Sequence, residues 1–149
     1  MNKISMIEIT GKPTTFREAV AKGEVILSPE TLKLIKEGKL PKGDVLSCAQ
    51  IAAILAVKKT PYIIPLCHPV KITGAKVNFE LKENKIEIEA QVKATDRTGV
   101  EMEALTAVMV AALTIYDMCK ATDKEMYLSD VRLIKKRGGK SGDYLREEQ

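Results

Sequence analysis

Hydrophobic and polar positions along this chain follow two kinds of pattern, and together they lay out an order of elements. From Lys76 onward the alternation is strict, with Val77, Phe79 and Leu81 on one side and Lys76, Asn78, Glu80 and Lys82 on the other. After Glu83-Asn84 it resumes, Ile86, Ile88, Ala90, Val92 and Ala94 standing against Lys85, Glu87, Glu89, Gln91 and Lys93. A period of two on both sides of a polar pair predicts an antiparallel hairpin with one wet face and one core face. The stretch from Thr95 to Thr122 reads differently. Its middle, Ala104 to Tyr116, is nearly all apolar, which predicts a long helix buried through its centre, not a surface helix with one charged stripe. Glu101 and Glu103 lie in its first turn, and Asp117 and Lys120 in its last.

The remaining elements come from their punctuation. Ser28-Pro29-Glu30 supplies an N-cap, a first-turn proline and a first-turn acid for a short helix that ends at Gly38. Asp44 is a natural N-cap for a second helix, Val45 to Lys58, which Thr60-Pro61 ends. Glu24 to Leu27 predicts a short strand, Met126 to Lys135 a final one, and the segment up to Phe16 an extended arm without periodicity. Strand, helices, hairpin, helix, strand is the split βαβ order of a ferredoxin-like α+β sandwich, with helices packed on one face of an antiparallel sheet. That fold hosts many unrelated activities and does not select one.

Composition narrows the class. The 149 residues, 45% of them hydrophobic, suit one domain spanning 1–149, and the 4% of aromatics leaves its core to Ile, Leu, Val, Ala and Met. With no run of eighteen or more apolar residues and no apolar leader, the expectation is a cytoplasmic protein without a membrane partner. Cys48, Cys67 and Cys119 are widely spaced, and one histidine accompanies them, so no metal site is expected. Cys48 and Cys119 read as buried small hydrophobes. Net charge is +4 and favours an anionic ligand only weakly, but Lys135 to Lys140, KKRGGK, concentrates positive charge in what reads as a flexible basic C-terminal tail.

Four places carry candidate chemistry. His68 sits in Pro65-Leu66-Cys67-His68-Pro69, and although a lone histidine is more often structural, the flanking prolines supply the fixed backbone of a ligand-facing loop. Asp117 and Lys120, three apart on a helix among apolar neighbours, are either an ordinary ion pair or a partly buried acid–base pair. Glu101 and Glu103 serve the helix dipole or a ligand. Along the helix, Glu103 and Asp117 are roughly 21 Å apart. If both serve one site, another subunit brings one of them, and the site lies at an interface. Gly138-Gly139-Lys140-Ser141-Gly142 lacks the glycine four residues before GK that a phosphate-binding P-loop requires. Lys140 remains as a cation that closes over a phosphate. Lys42 and Arg17 are further cations without a motif of their own.

PLCHP at 65–69, TGVEMEALTAVMVAALTIYDMCKA at 98–121, KGDV at 42–45 and GGKSGD at 138–143 together resemble the cyclic pyranopterin monophosphate synthases, the family of molybdenum cofactor biosynthesis protein C. The resemblance runs through nearly the whole chain in order. It implies a ferredoxin-like subunit in a homohexamer, a trimer of dimers with interface sites. It implies a small nucleotide-derived substrate, 3′,8-cyclo-7,8-dihydroguanosine 5′-triphosphate, converted to cyclic pyranopterin monophosphate and pyrophosphate. Carried over by motif, Asp117 is catalytic with Lys120 as its acid–base partner, His68 and Lys42 join them, and Leu66, Cys67, His68, Glu101, Met102, Glu103, Lys140 and Arg17 bind substrate. No cofactor is required, though Mg²⁺ accompanying the triphosphate is compatible with the chemistry. The family often has a small residue where Asp96 stands here, which bears on the loop leading into the long helix.

Two other classes remain in view. A non-catalytic small-molecule-binding regulatory module on the same scaffold explains interface pockets but not the Asp117–Lys120 pair. Nucleic-acid binding by the sheet wants an aromatic platform, and the hairpin offers only Phe79, on its core face.

Overall fold

A computed structural model describes residues 2–148. Its elements run β1 (Thr15–Ile26), α1 (Pro29–Glu37), α2 (Val45–Ile63), β2 (Ile72–Leu81), β3 (Lys85–Asp96), α3 (Glu101–Cys119), β4 (Tyr127–Arg137) and the short β5 (Tyr144–Leu145). The sheet order is β2-β3-β1-β4-β5, with every neighbouring pair antiparallel. α3 packs on β1, β3 and β4, and α2 packs on α3 and β2, so the helices form one layer over the sheet. This is the ferredoxin-like α+β sandwich, and its core is the seam between the two layers. Within that seam Ala19, Ala21, Val25, Ile86, Ile88 and Val92 of the sheet meet Ala104, Ala107, Val108, Ala111 and Ile115 of α3.

The capping signals act as the sequence predicts. The Ser28 hydroxyl accepts the Thr31 N–H, Gly38 ends α1 at φ 65°, and an Asp44 carboxylate oxygen accepts the Ser47 N–H at 3.0 Å. The hairpin is also as predicted, turning through Glu83-Asn84 with the Lys82 N–H donating to the Lys85 carbonyl at 2.8 Å. α3 is long and apolar enough to cross a membrane by length and composition, but half of it is buried within the fold, where it packs on the sheet and α2.

Four boundaries or environments differ. β1 starts at Thr15 rather than Glu24 and is the central strand, flanked by β3 and β4. Its sequence hides this because Arg17 and Glu18 are buried charges, and the positions under α3 are small. A Cβ on Gly23 would lie 2.7 Å from Val108 Cγ1, so close approach of the helix requires glycine there. Arg17 lies on the helix side. Its neighbour Glu18 turns to the other face, where Lys135, Arg137 and Lys93 stand 3.2, 3.5 and 3.9 Å away. α2 continues past Thr60-Pro61 to Ile63. The Thr60 hydroxyl donates to the Ala56 carbonyl and the Ile64 N–H to the Thr60 carbonyl, so the last turn holds despite the missing proline donor. Cys48 is exposed on the outer side of α2, whereas Cys119 is buried as expected. The C-terminal residues fold back as a hairpin: β5 pairs with Lys135 and Lys136, and the Gly138 N–H donates to Asp143 Oδ1.

Candidate functional site

The first turn of α3 opens onto two adjoining cavities. One, of about 350 Å³, is lined by Arg17 of β1, Lys136 of β4, Lys140 of the following turn, and Lys12, Thr98 and Glu101. The other, of about 290 Å³, holds Leu66, Cys67, His68 and Met102 and shares Lys12, Gly99 and Glu101 with the first. Arg17 is only 7% exposed, and its Nε–H donates to the Asp96 carbonyl at 3.2 Å. Gly139 sits at φ 91° directly against that guanidinium, and a Cβ there would collide with it. The turn can therefore lie over Arg17 only with glycine at this position. Lys136 Nζ is 3.7 Å from Glu101 Oε1, so the cavity combines four cationic side chains with one carboxylate. Such a surround suits a polyanion with several oxygens.

Glu103 is the most deeply buried acid of the group at 1% exposure. The Cys67 thiol donates to Glu103 Oε2 at 3.7 Å, while Oε1 has no hydrogen-bond partner among the described residues. Burial pushes the Glu103 carboxyl up. Burial, helped by the Glu103 charge, pushes the Cys67 thiol up to about 11. Cys67 is therefore a thiol near neutrality, suited to packing and hydrogen bonding and not to attack. Glu103 and Cys67 also wall a third, largely apolar cavity of about 710 Å³ between the end of α2, the 65–70 segment and β2.

The Glu103 shift has a consequence for stability. Below the usual carboxylate value of 4.5, folded and unfolded chains both hold the proton and the residue costs nothing. As pH rises toward and through the raised folded value, the unfolded chain ionises first and stability falls, levelling off above it. Glu103→Gln is expected to match the parent chain in thermal melts near pH 4 and to melt higher near pH 8, by about 2–4 °C for each kcal/mol relieved. Equal melting differences at both pH values would contradict a buried Glu103 whose carboxyl is raised.

The second group lies at the other end of α3. The Lys42 ammonium donates to Asp117 Oδ2 at 2.9 Å and to the Asp117 carbonyl at 3.2 Å, and Lys120 Nζ is 3.5 Å from Oδ1. Side-chain exposure is 57% for Asp117, 60% for Lys120 and 49% for Lys42. The partly buried Asp117–Lys120 pair expected from the apolar neighbours is thus corrected: Ile115, Met118 and Cys119 turn inward, while Asp117 and Lys120 emerge on the outer stripe. The hydrogen bond and charge of Lys42 hold the Asp117 carboxyl below its usual value, so within one subunit it is an ionised acceptor between two ammonium donors. Asp123 sets this geometry from beneath, accepting the Ser28 N–H at 2.8 Å and the Thr31 hydroxyl at 3.1 Å. It thereby ties the start of α1, and the Lys42 loop beyond it, to the turn after α3.

One subunit therefore brings Arg17, Leu66, Cys67, His68, Glu101, Met102, Glu103 and Lys140 to one end of α3. It brings Lys42, Asp117 and Lys120 together at the other, roughly 21 Å along the axis. The sequence reading missed Lys12, Thr98, Lys136 and Asp123. Lys136 lay in plain view within KKRGGK, but no local pattern marks the other three.

The MoaC family model matches residues 6–139. This chain belongs to the MoaC family. Named relatives agree over nearly full length. A cyclic pyranopterin monophosphate synthase of Desulfitobacterium hafniense is 58% identical over 144 residues, covering 96% of this chain and 88% of the relative. One of Pelotomaculum thermopropionicum is also 58% identical, over 95% and 85% of the two chains. One of a Thermoanaerobacter species is 56% identical, over 95% and 91%. The MoaC match takes in both groups of side chains, and of the candidate site residues only Lys140 falls just beyond it.

Proposed function

We propose that this chain converts (8S)-3′,8-cyclo-7,8-dihydroguanosine 5′-triphosphate to cyclic pyranopterin monophosphate in molybdenum cofactor biosynthesis, acting as a phosphorus–oxygen lyase that releases pyrophosphate. The observation that carries this reading is the run of relatives bearing that synthase name at 54–58% identity over 95–96% of the chain. The reaction needs two kinds of chemistry, and the two groups of side chains suit them. Opening the imidazole ring and closing the pyrazine are proton transfers at nitrogen and carbon, for which ionised Asp117 accepts protons and the Lys42 and Lys120 ammonium groups donate them. His68 is within the cavity shared with Glu101 and adds a second donor or acceptor. In the second part a sugar hydroxyl oxygen attacks the α-phosphorus and the bond to the bridging oxygen breaks. Pyrophosphate departs with that electron pair, its charge met by Arg17, Lys136 and Lys140. Leu66, Cys67, Met102 and the buried Glu103 offer an apolar slot with a polar edge for the base. No resident cofactor is needed, and Mg²⁺ would enter bound to the triphosphate. The enzyme would work in the cytoplasm.

The assembly is part of the same proposal: a homohexamer, a trimer of dimers, in which the Asp117 end of one subunit meets the Arg17 cavity of another. The separation of the two groups supports it. So does an apolar stripe on the outer side of the helices, where Ile51, Leu55, Met109 and Leu113 are 62, 52, 41 and 54% exposed. Leu113→Asp is expected to shift the mass measured by light scattering from six chains to a smaller species and to remove turnover with it. A monomeric parent chain would sink the shared site.

Mass spectrometry of the purified protein incubated with the cyclic dihydro-GTP triphosphate tests the reaction directly. Cyclic pyranopterin monophosphate and pyrophosphate are the expected products. A folded, assembled protein that binds this triphosphate and leaves it unchanged would instead be the binding module.

A further inference from the structure

The corner where β1 begins, β3 ends and β2 starts is held by one side chain outside the groups described so far. The β2–β3 ladder stops at Ile72↔Ala94, and β1 pairs with β3 as far as Thr15↔Asp96. Beyond Ile72 the Lys71 N–H has no strand partner, and Asp96 Oδ2 takes it at 2.8 Å, standing in for a backbone carbonyl and extending the ladder by one link. The other carboxylate oxygen, Oδ1, accepts the Arg97 N–H at 2.8 Å and so fixes the turn that leads toward α3. Held in that turn, the Asp96 carbonyl accepts the Arg17 Nε–H at 3.2 Å.

These three bonds join segments far apart in sequence, and each segment reaches the cavities at the first turn of α3. Lys71 closes the segment that begins with Leu66, Cys67 and His68. Arg97 opens the stretch carrying Thr98, Gly99 and Glu101. Arg17 supplies the buried guanidinium, which lines the cavity while its Nε is held. Asp96 is half-buried and touches none of the described substrate-binding cavities itself.

We propose that Asp96 is a positioning residue: its carboxylate and carbonyl together set the Arg17 guanidinium and the 66–68 segment in register around the phosphate end of the substrate. The inference rests on the reading of the Arg17 cavity as the site of that phosphate chain. The expected cost of removing the carboxylate appears in binding and not in chemistry, because the acid–base group of Asp117, Lys42 and Lys120 lies at the far end of α3.

Asp96→Ala and Asp96→Asn are compared with the parent chain by steady-state kinetics and by calorimetric titration with inorganic pyrophosphate. Asp96→Ala is expected to raise KM and the pyrophosphate Kd together, by about five- to tenfold, the net value of one hydrogen bond. kcat should stay within about twofold of the parent value if the chemical step is untouched. Asp96→Asn keeps one acceptor and should recover part of the loss, and it carries the test if the alanine variant does not fold. A merely structural Asp96 would lower the melting temperature while leaving KM and pyrophosphate affinity unchanged, and that result overturns the proposal, as does a loss confined to kcat. A parent chain that binds pyrophosphate without turning over the triphosphate would remove the proposed reaction and leave this inference standing. A parent chain that does not bind pyrophosphate would overturn the inference.

Discussion

Asp117→Ala is expected to lower kcat by about a thousandfold or more while leaving the assembly and the pyrophosphate Kd unchanged. The magnitude is what general acid–base catalysis and the charge it organises typically supply together. The direction follows from geometry. Among the described residues Asp117 is the only carboxylate in contact with both Lys42 and Lys120, and its removal leaves two ammonium groups without the anion that aligns them. Asp117→Asn keeps the shape and one acceptor oxygen but not the charge, and should fall nearly as far. Since the Lys42 hydrogen bond and charge hold the Asp117 carboxyl low, the parent chain should lose activity only at distinctly acidic pH, where that carboxylate takes up its proton. Rates measured under single-turnover conditions, with the melting temperature as a folding control, decide the point. An unchanged rate in Asp117→Ala would leave the lysine–aspartate group as a surface ion cluster.

Arg17→Ala is expected to give the second-largest loss, this time mostly in KM, which should rise by about 10- to 100-fold. That is the scale of removing one or two charge-assisted hydrogen bonds to a phosphate. Arg17→Lys should recover little, because an ammonium cannot present two terminal nitrogens from the position that Gly139 and the Asp96 carbonyl enforce. The two variants also test the shared site against each other. If Arg17 of one subunit serves the Asp117 of another, co-assembled Arg17→Ala and Asp117→Ala chains regain activity, because about a quarter of randomly assorted sites then hold both native residues. If both residues served one site within a subunit, every site in the mixture would lack one of them and no activity would return.

Much of this protein was legible along the chain, and what was missed shares a cause. The hairpin, the caps at Ser28 and Asp44 and the buried middle of α3 depend on short-range periodicity and local hydrogen bonding, which sequence records directly. β1 was cut short because a central strand beneath a close helix is built from alanine, glycine and buried charge, residues without strand propensity of their own. Asp117 and Lys120 looked partly buried because their chain neighbours are apolar, yet the helix turns those neighbours inward and leaves the pair in solvent. The candidate residues named by motif stand in coherent clusters, but Lys12 and Thr98 join only because an irregular N-terminal arm and the loop before α3 meet across the fold.

The sequence by itself determined the element order, the capping, the family and the list of chemically capable side chains, because each is encoded within a few residues or in one continuous motif. The tertiary structure alone decided which of them meet. Lys42 reaches Asp117 across 75 residues, Cys67 reaches Glu103 across 36, and Asp96 draws in Arg17 across 79. Contacts over such separations exist only after the helix layer has closed on the sheet. Until then no local preference brings those groups together, and the entropy of closing the loops between them opposes it.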